Sequence, residues 1–109
     1  MMTKYEQLRQ DLTEAVNQAV VTALNTDDGG TCNFDSCLLF LPRYNEEKTI
    51  EAINAAGIGG FKSNHFGKVC YMLGNPIFAQ GNRRTAQAEK INEVMRSKKY
   101  DTDVYYMID

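Results

Sequence analysis

The sequence predicts an α+β domain: a two-layer, ferredoxin-like sandwich in the order β-α-β-β-α-β, preceded by an extra amphipathic helix. Three observations predict it. Apolar residues recur at helical spacing over three stretches, 3–25, 45–56 and 82–98. Four short runs rich in aliphatic and aromatic residues lie between and after them and read as strands. Capping and turn residues stand at the joints. Right-handed crossovers then give a four-stranded antiparallel sheet in the spatial order 4-1-3-2, with both later helices on one face. A chain of 109 residues fits one domain, 1–109, with the first helix in 1–26 and the sandwich in 31–109.

The first helix opens on a capping box, Thr3 with Glu6, in which each side chain satisfies a first-turn N–H. Tyr5, Leu8, Leu12, Ala15, Val16, Ala19, Val20, Ala23 and Leu24 form a broad apolar face. This helix either covers the free face of the sheet or pairs with a second copy of the chain. "TDDGG" breaks it. "TCNFDSCLLFLP" reads as the first strand, alternating at first and apolar on both sides from Cys37 to Leu41, so central and covered on both faces at that end. Asn45 caps the second helix, with Glu46 and Glu47 in the first turn, and Gly57 suits its C-terminal stop. "IGGFKS" and "KVCYML" make a hairpin around "NHFG". "GNPIFAQG" is a loop, "NRRTAQAEKINEVMRSKK" the third helix with Ala88, Ile91, Val94 and Met95 inward, and "DVYYMI" the last strand.

Composition is ordinary for a globular domain, at 43% hydrophobic and 24% charged. No apolar run approaches the roughly 20 residues of a membrane helix. The polar start "MMTKYEQLRQ" does not read as a secretory signal, and three cysteines without a pairing pattern fit a reducing compartment, so a cytoplasmic location is expected. Residues 1–61 carry four basic and nine acidic side chains, a balance of −5, whereas residues 62–109 carry eight and five, +3. A basic second half could meet an anion; it could equally be one of two solvated faces that differ.

The predicted topology gathers "DDGG", "GIGG" and "GNPIFAQG" at one end of the sheet, with seven of the eight glycines. Glycines let a ligand approach the main chain, though they also mark turns. At the same end, "QGNRRT" puts two cations at a helix start, where the dipole disfavours them. If Asn82 caps, Arg83 and Arg84 take the first two helical positions, and an anion bound there would remove the conflict. The candidate binding surface is Gln80, Gly81, Asn82, Arg83, Arg84 and Thr85, with Thr31, Asn33 and Tyr106 beside it. The competing reading is that the arginines pair with Asp27, Asp28 or Asp35 at the surface.

Other constellations are weaker. Cys32, Cys37, His65 and Cys70 are zinc-ligand types, but strand positions five apart point to opposite faces, so no metal is expected. Cys70 and His65 differ by five as well, and the paired carboxylates sit in exposed turns; no catalytic residue and no cofactor are assigned. "GKVCY" matches the tail of an RNA-recognition strand motif at Gly67, Val69 and Tyr71, with Lys68 in place of an aromatic.

Through "DGGTCNFDS", "QGNRRTAQAE" and "YDTDVYYMID" the chain resembles the small accessory proteins of phages and prophages that inhibit host defences. That resemblance implies a bacterial host cytoplasm. It also implies either sequestration of a nucleotide signal or blockade of a host defence enzyme. The expected function is therefore non-enzymatic binding of a phosphate-bearing, nucleotide-like small molecule by a homodimer or larger homo-oligomer. The alternatives are a protein–protein inhibitor and, less favoured, an RNA-binding module. No membrane partner is expected.

Overall fold

The computed structural model describes residues 1–30 and 34–107. In chain order the elements are α1 (Lys4–Leu24), β1 (Ser36–Phe40), α2 (Glu46–Ala55), β2 (Gly60–His65), β3 (Lys68–Leu73), α3 (Gly81–Ser97) and β4 (Asp101–Tyr105). The strands form one antiparallel sheet in the order β2-β3-β1-β4. This is the predicted order read from the opposite edge. Among the described residues no helix is long and apolar enough to cross a membrane.

Local chemistry explains the element ends. The Thr3 hydroxyl accepts from the Glu6 N–H at 3.1 Å, and the Glu6 carboxylate accepts from the Thr3 N–H at 3.2 Å. The Asn45 side chain accepts from the Lys48 N–H at 2.9 Å, capping α2 as expected. The β2–β3 turn is the two residues Phe66 and Gly67, with φ of 55° and 73°. Positive φ at both positions is the primed turn that matches strand twist. β2 therefore starts and ends two residues later than the sequence predicts, and His65 belongs to it. Asn33 and Thr31, predicted as the start of β1, lie outside the described residues; the described strand begins at Ser36.

The placement of α1 departs from both expectations. It neither covers the free face of the sheet nor leaves its apolar face for a second copy. It lies over α3 and α2, on the helical side. Leu8, Leu12, Ala15 and Ala19 are fully buried in one cluster with Leu39, Tyr71, Ile53, Ile91 and Met95. An apolar stripe needs an apolar partner, and α3 presents Ile91, Val94 and Met95 as one. The face on which the expected homo-oligomer rested is thus filled within the chain.

Among the described residues that interface buries one acid. Asp11 is 8% exposed, and its carboxylate accepts from Tyr100 Oη at 2.6 Å and Gln7 Nε2 at 3.0 Å, with Lys98 Nζ 3.8 Å away. Burial, and then the hydrogen bond to Asp11, raise the Tyr100 hydroxyl above its ordinary value of 10.0. A group whose folded pKa is raised holds its proton more tightly when native. Its contribution is complete below the unfolded value and is lost as pH climbs through the folded one. Stability should therefore fall as pH rises above 10.0. Tyr100→Phe should remove that part of the slope, as read from urea midpoints across the alkaline range. An unchanged slope in the variant would sink this assignment.

Among the described residues the second face of the sheet carries no helix, yet Leu38 and Cys70 are fully buried there and Phe40 is nearly so. The reason is coiling. β2 and β4 are opposite edges, three strand spacings or roughly 14 Å apart in a flat sheet. Nevertheless the rings of His65 and Tyr105 lie 4.6 Å apart. Lys68 Nζ covers the Phe40 ring at 5.3 Å and lies 3.8 Å from Asp101, the β4 partner of Phe40, as cross-strand neighbours do. Two diagonal corners of the sheet have curled over its own face, an extreme of the normal right-handed twist. This is how β1 becomes buried along its whole length.

Cys37 and Cys70 are free and buried; Cys32 lies outside the described residues. Burial pushes the Cys37 thiol up to about 12, so it is a packing residue rather than a nucleophile.

Candidate functional site

The glycine-rich end is where α3 starts beside the foot of β1. The N-cap of α3 is Gln80, without a side-chain cap bond, and Gly81 follows with φ of 59°. Asn82 is therefore not the cap. Arg83 and Arg84 stand at the third and fourth helical positions rather than the first two. Asn82 is held instead by tertiary contacts. Its N–H donates to the Gly29 carbonyl at 2.8 Å and its Nδ2 to Asp27 Oδ1 at 3.2 Å. One of the free helix N–H groups available to an anion is thus already used. The Gly29 N–H and then Asn82 hold the Asp27 carboxyl below its ordinary range.

Neither arginine is in an ion pair among the described residues. Arg83 Nε donates to the Thr26 carbonyl at 3.0 Å, just past the end of α1, where the helix dipole favours a cation. Arg84 Nε donates to the Asp35 carbonyl at 3.1 Å, and one terminal nitrogen approaches Ser36 Oγ at 3.5 Å. Its guanidinium lies 5.8 Å over the Phe34 ring. The two side chains, adjacent on a helix, diverge: one ties α3 to α1 and the other ties it to β1.

Asp35 organises this corner. It is 2% exposed, and its two carboxylate oxygens accept from the Met107 N–H at 2.8 Å and from Thr85 Oγ1 at 2.7 Å. The Phe34 N–H donates to the Met107 carbonyl at 2.7 Å, which locks the segment after β4 against the one before β1. Thr85 also donates to the Gly81 carbonyl at 3.2 Å.

Beside this corner lies a groove of about 370 Å³. Phe34, Phe61, Met72 and Met107 supply apolar wall, Gly59, Gly60 and Gly74 supply open main chain, and Arg84 stands at its margin. Gly74 is needed there. A Cβ on it would come within 3.3 Å of the Gly59 carbonyl oxygen, which already accepts from the Gly74 N–H at 2.8 Å.

Of the predicted site residues, Arg84 alone among those described lines the groove. Arg83 and Asn82 face the α1 terminus, Thr85 turns to Asp35, and Gln80 and Gly81 form the start of α3. Tyr106 donates to Glu89 Oε2 at 2.6 Å, a bond that pushes its hydroxyl up to about 12. Thr31 and Asn33 are outside the described residues. Sequence reasoning misses Phe34, Phe61 and Met72, and takes Asp35 only as a surface ion-pair partner of the arginines, whereas Arg84 bonds its main-chain carbonyl and its carboxylate is buried. The clustered glycines locate the right end, but no local signal marks the three apolar residues. Among the described residues no three His, Cys, Asp or Glu side chains are placed to hold a metal ion.

Comparison with known families, with curated proteins and with solved structures finds no match to this chain.

Proposed function

We propose that this chain is a non-enzymatic binding protein for a phosphate-bearing, nucleotide-like small ligand, taken up in the groove at the glycine-rich end. One observation carries the reading. Arg84 is held by Asp35 and Ser36 so that its guanidinium lies over Phe34 at the edge of an aromatic groove with exposed glycine main chain. A planar group can enter between apolar walls, while a guanidinium fork offers two donors to a phosphate. The topology behind it is the ferredoxin-like arrangement with an added helix. A phage accessory protein with this site would act by sequestering a nucleotide immune signal in the host cytoplasm.

The test is thermal shift and calorimetry against a panel of mono-, di- and cyclic nucleotides. Arg84→Ala should weaken the bound member by roughly 1.5–3 kcal/mol, about ten- to a hundredfold. The variant should also lose some stability, because Arg84 Nε is bonded to the Asp35 carbonyl. Undiminished affinity in a folded Arg84→Ala variant, or no nucleotide bound by the wild type, would reject the site.

A second reading has its own observation. Phe78, 93% exposed in the loop before α3, and the exposed Tyr106 and Phe61 stand around the same end. Exposed aromatics of this kind anchor protein interfaces. A protein–protein inhibitor would use them, and Phe78→Ala would then abolish target binding while leaving nucleotide binding intact.

A further inference from the structure

The two edges of the sheet are treated differently. On β4 the outward main-chain groups are occupied by side chains. The Val104 N–H donates to Asp103 Oδ1 at 2.8 Å, and Arg96 donates to the Thr102 carbonyl at 2.6 Å. Aspartates at 101 and 103 add charge along that edge. These are the ordinary means by which a protein keeps an edge from pairing.

β2 has less protection: its one charge, Lys62, has its ammonium 3.6 Å from Glu46 Oε1 of α2, and no side chain caps its outward main-chain groups among the described residues. It pairs with β3 without a bulge, residue for residue from Gly60 to His65, and contains no proline. His65 and Lys68 flank a two-residue turn, so they form a hydrogen-bonded pair. The N–H and C=O groups of Gly60, Lys62 and Asn64 then point away from the sheet. Among the described residues no side chain bonds to them. Phe61, Lys62 and Asn64 are exposed.

We infer that β2 is a dimerisation edge that pairs antiparallel with β2 of a second copy of this chain, about a two-fold axis through Ser63. The strand is complementary to itself in that register. Lys62 would oppose Asn64 of the second copy, exchanging main-chain hydrogen bonds twice by symmetry. Phe61 would oppose His65 of the second copy, an aromatic pair on the coiled face. The neighbouring register, centred on Lys62, would set two lysines directly against each other, which is unfavourable. The result is a closed, isologous pairing that makes one eight-stranded sheet and leaves α1 where it is.

Sedimentation velocity of the full chain over rising concentration tests this. The wild type should dimerise. Asn64→Lys puts like charges opposite each other twice and should weaken the dimer about tenfold, whereas Asn64→Glu faces Lys62 twice and should tighten it. Asn64 is exposed, and circular dichroism will establish that both variants fold. Ser63→Cys, combined with Cys70→Ala because Cys70 is its direct partner on β3, and treated with oxidised glutathione, should crosslink across the axis, where opposed Cα atoms lie ~4.5 Å apart, within disulfide reach. Asn64→Cys should crosslink far less. A wild type that stays monomeric at every concentration overturns the inference. So does a dimer to which the two Asn64 charges make no difference, and a Ser63→Cys chain that fails to crosslink.

Discussion

Asp35→Ala is expected to cost about 3 kcal/mol of stability, lowering the thermal midpoint by roughly 12 °C for a domain of this size. The side chain is almost completely buried, and its two oxygens take donors from elements far apart in sequence, Thr85 and Met107. Alanine would remove the acceptor used by the Met107 N–H and the Thr85 hydroxyl and leave a gap where the buried carboxylate stood. The cost is that of two hydrogen bonds to a charged acceptor, each stronger than a neutral one. Asp35→Asn is the informative companion. Its carbonyl can still accept from Met107, and the Thr85 hydroxyl can rotate to accept from the new amide. The cost should drop to about 1 kcal/mol. Urea unfolding followed by far-ultraviolet circular dichroism measures both. If alanine costs no more than asparagine, the carboxylate is not the anchor of this corner. Arg84 is aimed by the main-chain carbonyl of residue 35, which both substitutions keep, so ligand binding should weaken only as far as the corner itself loosens.

Asp35 also shows where reading the sequence stops. In "TCNFDSCLLF" the alternation puts it opposite Phe34, on a side that looks solvated. Its burial is decided by partners 50 and 72 residues away. No window of local sequence contains them. The elements that were legible are those whose signals are local. Thr3 with Glu6, Asn45 with the glutamates after it, and the short hairpin each bring their own hydrogen bonds. The sheet order followed because handed crossovers leave few alternatives. Asn82 failed for the same reason as Asp35. It is the residue type that caps helices, but Gly29 and Asp27 reach it across the fold, and the helix starts before it. Arg83 and Arg84, expected at the first two helical positions, stand at the third and fourth. Main-chain carbonyls of Thr26 and Asp35 resolve much of their conflict with the helix start within the chain, and the groove beside Arg84 is where a ligand would meet the remainder.

The position of α1 gives the other large effect. Leu12→Ala should cost about 3 kcal/mol, in the usual range for a leucine truncated in a rigid core. Leu12 is fully buried between α1 and the helices beneath it, with Leu8 and Ile91 in the same cluster. Truncation loses the transfer energy of its methyl groups and leaves a cavity that two packed helices cannot close. Leu24→Ala serves as the control. The sequence assigns Leu24 to the same apolar face, yet it is 71% exposed because the helix ends beyond its partner. Its removal should change stability by no more than about 0.5 kcal/mol. Concentration separates the two roles open to α1. A helix docked within its own chain gives the same difference between wild type and Leu12→Ala at low and high protein concentration. A helix shared between two chains makes that difference shrink with dilution, because its contacts would then depend on association and be lost from both proteins. Equal differences, together with a silent Leu24→Ala, would place the largest apolar surface of this chain inside its own fold. A difference that shrank on dilution would overturn the internal docking and restore α1 as the oligomer interface.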